Sequence, residues 1–291
     1  MEQIIKKAYG KINLGLDVLG RREDGYHLLR MVMQTVDIAD TLTISRIPEA
    51  EIRISVDSDQ IPDGKDNLIY RAAKRMFEYY ELPGGVGIRL EKKIPVAAGM
   101  AGGSTDAAAV FSGIRELFEL PISVRQLQEL ALPLGADIPY CLEGGTKLAE
   151  GIGEILTPLP APPECFLLIV KPDLMVPTGW VYKTLDERPG ARHPDVDGLI
   201  GALREHSYEK MLYFCGNILE DVTAGEYPVI GKLESFLMEN GADQAKMTGS
   251  GPTVFAFYRE QEAAVRALEQ LKNHAEYSAF QSFVTVMRDV L

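Results

Sequence analysis

Apolar and polar positions open the chain with a two-residue period. In KINLGLDV (residues 11–18) Ile12, Leu14, Leu16 and Val18 alternate with Lys11, Asn13 and Asp17. The spacing predicts a strand with the four apolar residues on one face and a lysine and an asparagine side by side on the other. RREDGYH follows, with Asp24-Gly25 as a turn signal, and MVMQTVDIADTLTISRI supplies further strand, so the opening reads as a β meander. The period then lengthens. Leu68, Ala72, Met76 and Tyr79 are spaced for one face of a helix, and Val86, Ile88 and Leu90 return to strand alternation. Beyond a glycine run, Val110, Phe111, Ile114, Leu117 and Phe118 predict a second helix, with Ser104 or Thr105 as its N-cap. SVRQLQELALPLGA predicts a third, and the glycines and proline of GADIPYCLEGG force a turn around Asp137.

The stretch LTPLPAPPE holds four prolines and no periodicity, which places a domain boundary there: residues 1–158 and residues 159–291. The second half begins with the strand CFLLIV and continues with helical stretches between Tyr208 and Asn240. AKMTGSGPTVFAFY then reads as a hairpin turning at Thr248 to Pro252, before a helix (QEAAVRALEQLKN) and a last strand (SFVTVM). The order β, helices, β, β, α, β fits a ferredoxin-like split βαβ domain, and the whole chain an α+β class. No internal repeat or low-complexity segment interrupts it.

Composition narrows the function classes. A chain of 291 residues with 46% apolar content can fill two cores. Acidic residues outnumber basic ones 42 to 30, and the net charge of −12 disfavours nucleic acid and anionic membrane as partners. Any anionic ligand must therefore be held by local groups. Cys141, Cys165 and Cys215 have no C-x-x-C spacing, which argues against a disulfide framework or zinc site and for a reducing cytoplasm. The charged start MEQIIKKAYGKINL passes straight into a strand pattern and no apolar run approaches membrane-spanning length, so neither export nor anchoring is expected.

The chemistry concentrates in PVAAGMAGGSTDAAAV (residues 95–110), a glycine-rich turn between a strand and a helix. Such a turn suits phosphate, because unpaired amides and the positive end of the helix dipole converge there. The common P-loop is excluded, since Gly103 is followed by Ser104, Thr105 and Asp106; no G-x-G-x-x-G occurs and no Lys or Arg lies between Pro95 and Val110. Taken singly, Lys11 reads as a solvated lysine, Asp137 as a turn carboxylate, His27 as a surface residue and TGSGP as a hairpin turn. Their combination changes the reading.

KINL, PVAAGMAGGST and MTGSGPTVFAF, in that order, resemble the motif set of the GHMP kinases (galactokinase, homoserine kinase, mevalonate kinase, phosphomevalonate kinase), and the resemblance spans the chain. It implies an N-terminal ribosomal-protein-S5-domain-2-like domain, a ferredoxin-like C-terminal domain, and transfer of phosphate from ATP, with Mg²⁺, to a small-molecule alcohol. In that resemblance the loop Pro95, Val96, Ala97, Ala98, Gly99, Met100, Ala101, Gly102, Gly103, Ser104 and Thr105 wraps the ATP phosphates with its amides, and Asn67 lies near adenine. Thr248, Gly249, Ser250 and Gly251 form the third motif. Asp137 is the implied base and Lys11 its electrostatic partner. AYGKINLGLDV with DGYH, LGADIPYCLEGGTKLAEGIGE and KPDLMVPTGWVYK resemble one branch of the family more specifically. That branch acts on a cytidine diphosphate conjugate of a branched polyol in isoprenoid precursor synthesis. The likeness implies that Asn13 and Asp137 meet the polyol, that His27 hydrogen-bonds cytosine between Tyr26 and Tyr182, and that Thr178 holds the cytidine end. The alternatives are another small-molecule kinase of the family and a ligand sensor that has lost catalysis. DGYH speaks against the first and retention of both Lys11 and Asp137 against the second.

Overall fold

The computed structural model describes residues 2–188 and 190–289. The first half comprises β1 (Gln3–Arg21), β2 (His27–Ile47), β3 (Ile52–Val56), α1 (Leu68–Tyr80), β4 (Gly85–Glu91), α2 (Gly102–Leu117), α3 (Val124–Ala131), α4 (Ile138–Cys141), β5 (Thr146–Gly151) and β6 (Ile155–Pro158). The second comprises β7 (Phe166–Lys171), α5 (Thr178–Asp186), α6 (Val196–Arg204), α7 (Tyr208–Phe214), β8 (Gly216–Asn217), α8 (Glu220–Glu226), α9 (Val229–Glu239), β9 (Gln244–Met247), β10 (Val254–Tyr258), α10 (Gln261–Asn273) and β11 (Gln281–Arg288).

β1 and β2 form one long antiparallel hairpin. The other edge of β2 is shared in succession by β5 at residues 29–34, β11 at 35–36 and β4 at 41–47. The opening is therefore not the meander expected. β3 pairs in parallel with β4, and β4 pairs with β2, because α1 supplies the crossover that a parallel pair needs.

The alternation in β1 also breaks. A register shift between Asn13 and Gly15 inserts an extra residue, and such a bulge exchanges the two faces of a strand. Ile12 and Leu14 consequently join a different buried cluster from Leu16 and Val18, where a single face was expected. The polar positions are covered as well: Lys11 is 5% exposed and Asn13 1%. A buried ammonium needs partners to offset its lost hydration, so the solvated reading of Lys11 fails.

In the second half the antiparallel order β11-β7-β10-β9 is the ferredoxin-like arrangement expected from the order of elements. β6 ends at Pro158 and β7 begins at Phe166, with the proline stretch between them free of helix and strand. The halves share a core. Ile12, Val32 and Met100 pack in one cluster with Leu199, Leu203, Phe255 and Phe257, each contributing about 1.5–3 kcal/mol of burial. β8 adds a parallel pair to β1 at Leu16 and Asn217, and the end of β11 reaches β2 at Val36. Strand β1, which carries Lys11 and Asn13, is thus fixed from both halves. Among the described residues no helix is long and apolar enough to cross a membrane.

Candidate active site

The glycine run leaves β4 and enters α2 at Gly102, so that the cap falls at Ala101, three residues before Ser104 and four before Thr105, the caps expected. Ala101 occupies the cap position with φ 57° and makes no side-chain cap bond. Thr105 is not free to cap: its Oγ1 donates to Tyr9 O at 2.6 Å, and its N–H makes the first helical bond, to Ala101 O at 2.9 Å. The amides of Gly102, Gly103 and Ser104 precede that bond and are open to a ligand. Ala97 (φ 52°), Gly99 (φ 70°) and Ala101 (φ 57°) place every second residue in the left-handed region. That alternation turns successive N–H groups toward one point and makes an anion nest. The two alanines there cost roughly 1–2 kcal/mol each, strain of the kind retained at ligand sites.

A cleft of about 420 Å³ opens over this loop, lined by Pro95, Val96, Ala97, Ala98, Gly99, Ala101, Gly102, Gly103 and Ser104 and also by Asn67. Asn67 is the N-cap of α1; its Oδ1 accepts from Ile69 N at 3.0 Å and its Nδ2 donates to Pro62 O at 2.6 Å. Met100 faces the core instead, and its carbonyl accepts from Lys11 N at 3.1 Å. Sequence reasoning missed a charged group at this cleft. Lys92 Nζ lies 2.8 Å from Asp106 Oδ2 and also bonds Asp40. Burial works to lower the Lys92 pKa, but the two carboxylates outweigh it and hold it above its ordinary value. Burial pushes the Asp106 carboxyl well up; Lys92 opposes the shift and Asp40 adds to it. Lys92 precedes Pro95 by three residues and so lies outside the glycine-rich stretch itself.

A second cleft, about 700 Å³, is lined by Tyr26, His27, Asp137, Thr178, Tyr182, Asp186 and Ser104. Ser104 thus borders both clefts. Thr178, Tyr182 and Asp186 fall at every fourth residue of α5 and so share one face. One face of Tyr182 carries the His27 ring, with centroids 4.7 Å apart, and His27 Nε2 lies 2.8 Å from Asp186 Oδ1. Tyr26 stands at the rim, 58% exposed. His27, not Tyr26, is therefore the ring nearest Tyr182. Asp186 was also missed, although its four-residue spacing from Tyr182 was the available signal.

Asp137 starts α4 but makes no side-chain cap bond, so its carboxylate is not spent on the turn. Lys11 Nζ donates to Asn13 Oδ1 at 2.7 Å rather than to Asp137. Both charges nevertheless reach Cys141, whose thiol is raised by burial, further by Asp137, and lowered by Lys11. Tyr182 likewise is raised by burial first and then by Asp137.

The third motif binds these parts together. Thr248 Oγ1 accepts from Asn13 N at 2.9 Å, and Ser250 Oγ pairs with Thr178 Oγ1 at 2.9 Å. Gly251 N closes the turn on Thr248 O at 3.0 Å. Gly249 lies directly on Gly99: a Cβ on Gly249 would stand 2.9 Å from Gly99 O. Among the described residues no group of three His, Cys, Asp or Glu side chains could hold a metal ion.

The family described as GHMP kinases N terminal domain matches residues 67–145, and GHMP kinases C terminal matches residues 199–276. A 4-diphosphocytidyl-2-C-methyl-D-erythritol kinase of Lachnospira eligens is 48% identical over 276 residues, covering 95% of this chain and 96% of its own. One of Acetivibrio thermocellus is 43% identical over 285 residues, covering 98% and 99%. A crystal structure of 4-(cytidine 5'-diphospho)-2C-methyl-D-erythritol kinase superposes with TM-score 0.83 at 32% identity, covering 98% of this chain and 99% of that one. Homoserine kinase from Cytophaga hutchinsonii has the same fold, with TM-score 0.81 at 20% identity over 100% of this chain and 96% of that one. With both family regions matched and the phosphate loop and third motif packed together, the chain belongs to the GHMP kinases.

Proposed function

We propose that the chain transfers the γ-phosphoryl group of ATP to the 2-hydroxyl of 4-diphosphocytidyl-2-C-methyl-D-erythritol, the compound in its relatives' names. The observation that carries this reading is the meeting of the two clefts at Ser104. In-line phosphoryl transfer needs a nucleotide and an acceptor to touch at one point, with charge compensation and a proton acceptor there. The amides of Gly102, Gly103 and Ser104, backed by the α2 dipole, receive the phosphates. Asn67, in the lining of the same cleft, marks the adenine end.

Asp137, which lines the acceptor cleft, takes the hydroxyl proton as the oxygen attacks; Lys11, buried on β1 behind the lining of both clefts, offsets the developing negative charge. Asn13 meets the polyol hydroxyls. His27 reads the cytosine edge, with Asp186 fixing which ring nitrogen faces it, and Tyr182 supplies the flat wall beneath. Thr178, held by Ser250, borders the cytidine end.

Mg²⁺ fits as a nucleotide-borne ion, which keeps most of its ligands from phosphate and water. Asp106, whose Oδ1 is buried without a partner beside the phosphate loop, is the protein group suited to meet it. The ion supplies charge neutralisation of the β and γ phosphates.

ADP release with Mg·ATP and the cytidine compound, beside mevalonate, homoserine and galactose, tests the proposal. Turnover with the cytidine compound alone is expected. Turnover with another acceptor overturns the cytosine pocket, and silence with all four overturns phosphoryl transfer.

A further inference from the structure

The third motif is held from behind as well as from the front. Asn217, where the chain passes from α7 to α8, donates through Nδ2 to Met247 O at 2.9 Å and to Gly249 O at 2.8 Å. Its Oδ1 accepts from Leu219 N at 3.0 Å, so both donors and the acceptor of the amide are engaged. The backbone beside it is anchored to β1: Asn217 is the β partner of Leu16, and Ile218 N donates to Leu16 O at 3.0 Å. Thr223 Oγ1 adds a bond to Ser250 O at 3.2 Å. The motif these groups hold carries the Thr248 hydroxyl that bonds Asn13 N, and the Gly249 backbone that lies on Gly99.

We infer that Asn217 is a positioning residue for the reaction: by fixing the third motif it sets the Lys11–Asn13 strand against the phosphate loop. The inference rests on the phosphoryl-transfer reading above. Asn217 lines neither cleft, so its removal leaves the surfaces that touch nucleotide and acceptor in place. What changes is their relative placement, and a displacement of about 1 Å costs roughly 10²-fold in rate. Replacing Nδ2 with oxygen sets a carboxylate against two carbonyl oxygens, whereas Asn217→Ser keeps one donor.

The test compares wild type, Asn217→Asp and Asn217→Ser in steady-state turnover, normalised to the fraction of protein that binds a non-hydrolysable ATP analogue. Amide hydrogen exchange is followed in parallel. Expected are a kcat lowered about 10²-fold in Asn217→Asp and less in Asn217→Ser, with KM for both substrates within about threefold of wild type. The Asn13 amide, which donates to Thr248 Oγ1, and the Lys11 amide, which donates to Met100 O, lose protection, while the β7 and β10 amides keep theirs. A normal kcat per binding site together with a lowered melting temperature makes Asn217 merely structural and overturns the inference. So does unchanged protection of the Asn13 amide in either variant. A silent wild type would instead overturn the kinase reading, and the exchange result then decides the coupling by itself.

Discussion

A methyl group added at Gly99 tests whether contact between the phosphate loop and the third motif sets the reaction geometry. Gly99 has φ +70°, and a Cβ there would stand 2.5 Å from Thr248 O and 3.3 Å from Gly251 O. The left-handed backbone alone costs alanine about 1–2 kcal/mol. The shorter contact lies about an ångström inside ordinary van der Waals separation, and its partner is backbone. Thr248 cannot withdraw freely, because its N–H bonds Thr253 O at 2.9 Å and its carbonyl accepts from Gly251 N at 3.0 Å. The loop must therefore move, and the two effects together cost about 2–4 kcal/mol. In a chain of this size that lowers Tm by roughly 3–7 °C. A shift of about 1 Å in the phosphate loop predicts kcat about 10²-fold lower, with the acceptor's KM little changed. ADP release and thermal unfolding of Gly99→Ala measure both. Gly201→Ala, on α6 with nothing within 4 Å of its new Cβ, is the control expected to keep full turnover. A Gly99→Ala enzyme with kcat within threefold of wild type would refute the argument that this contact sets the geometry.

Lys11→Ala and Asp137→Asn should each lower kcat by about 10²–10⁴-fold while circular dichroism shows the fold retained; near-normal turnover in either removes it from the proposed chemistry. His27→Ala should raise KM for the cytidine compound by about tenfold or more and leave KM for ATP unchanged, and equal losses for both substrates count against its role. Burial, and then the charge of Glu220, pushes the Glu234 carboxyl from 4.5 to about 8, so the folded chain keeps a proton that the unfolded chain releases. The stability this group adds is complete below about pH 4.5 and lost as pH rises through about 8, at up to about 1.4 kcal/mol per pH unit. The Tm of Glu234→Gln should therefore gain on wild type between pH 6 and pH 9, and a difference constant with pH contradicts the shift.

The strand order of the ferredoxin-like half was legible because its main strands are short apolar runs between turn signals, whereas α5, α6 and the two-residue β8 were not expected. The first half was harder. Its alternation in β1 is real, but a bulge at Leu14 carries no composition signal, so the exchange of faces between Leu14 and Leu16 is invisible until pairing with β2 is known. The helix start was misplaced for a related reason. Ser104 and Thr105 are good caps by type, yet the helix begins at Gly102, where the amides would be left for a ligand, and Thr105 spends its hydroxyl on Tyr9. At the site, Lys11, Asp137 and the loop were visible as residue types in order, whereas Lys92 with Asp40 and Asp106 required the sheet to bring positions far apart in sequence together. Local propensity cannot report such an ion cluster.

That cluster bears on which cation compensates the transferred phosphate in a loop without a lysine. Lys92 lies at the nucleotide cleft, but it is bracketed by two carboxylates, and its charge is already offset at the distance of a hydrogen bond. Lys11 is as deeply buried, and its side-chain partner among the described residues is the neutral amide of Asn13. A charge in a low-dielectric setting with only a dipole beside it acts on its neighbours far more strongly than one in water. Lys11 and Asp137 act on the Cys141 thiol with opposite sign, Asp137 the more strongly, so both charges bear on the same region. In the proposed reaction the protein's own share of the positive potential at the transfer point, beside that of the nucleotide's Mg²⁺, therefore comes from Lys11 and from the amides opening α2, while Lys92 holds Asp40 and Asp106 in place. Lys92→Met should accordingly disturb the loop and lower stability without removing the compensating charge, whereas Lys11→Met should remove that charge and leave the loop standing; thermal unfolding set beside kcat for the two variants separates them, and the reverse pattern would assign compensation to Lys92.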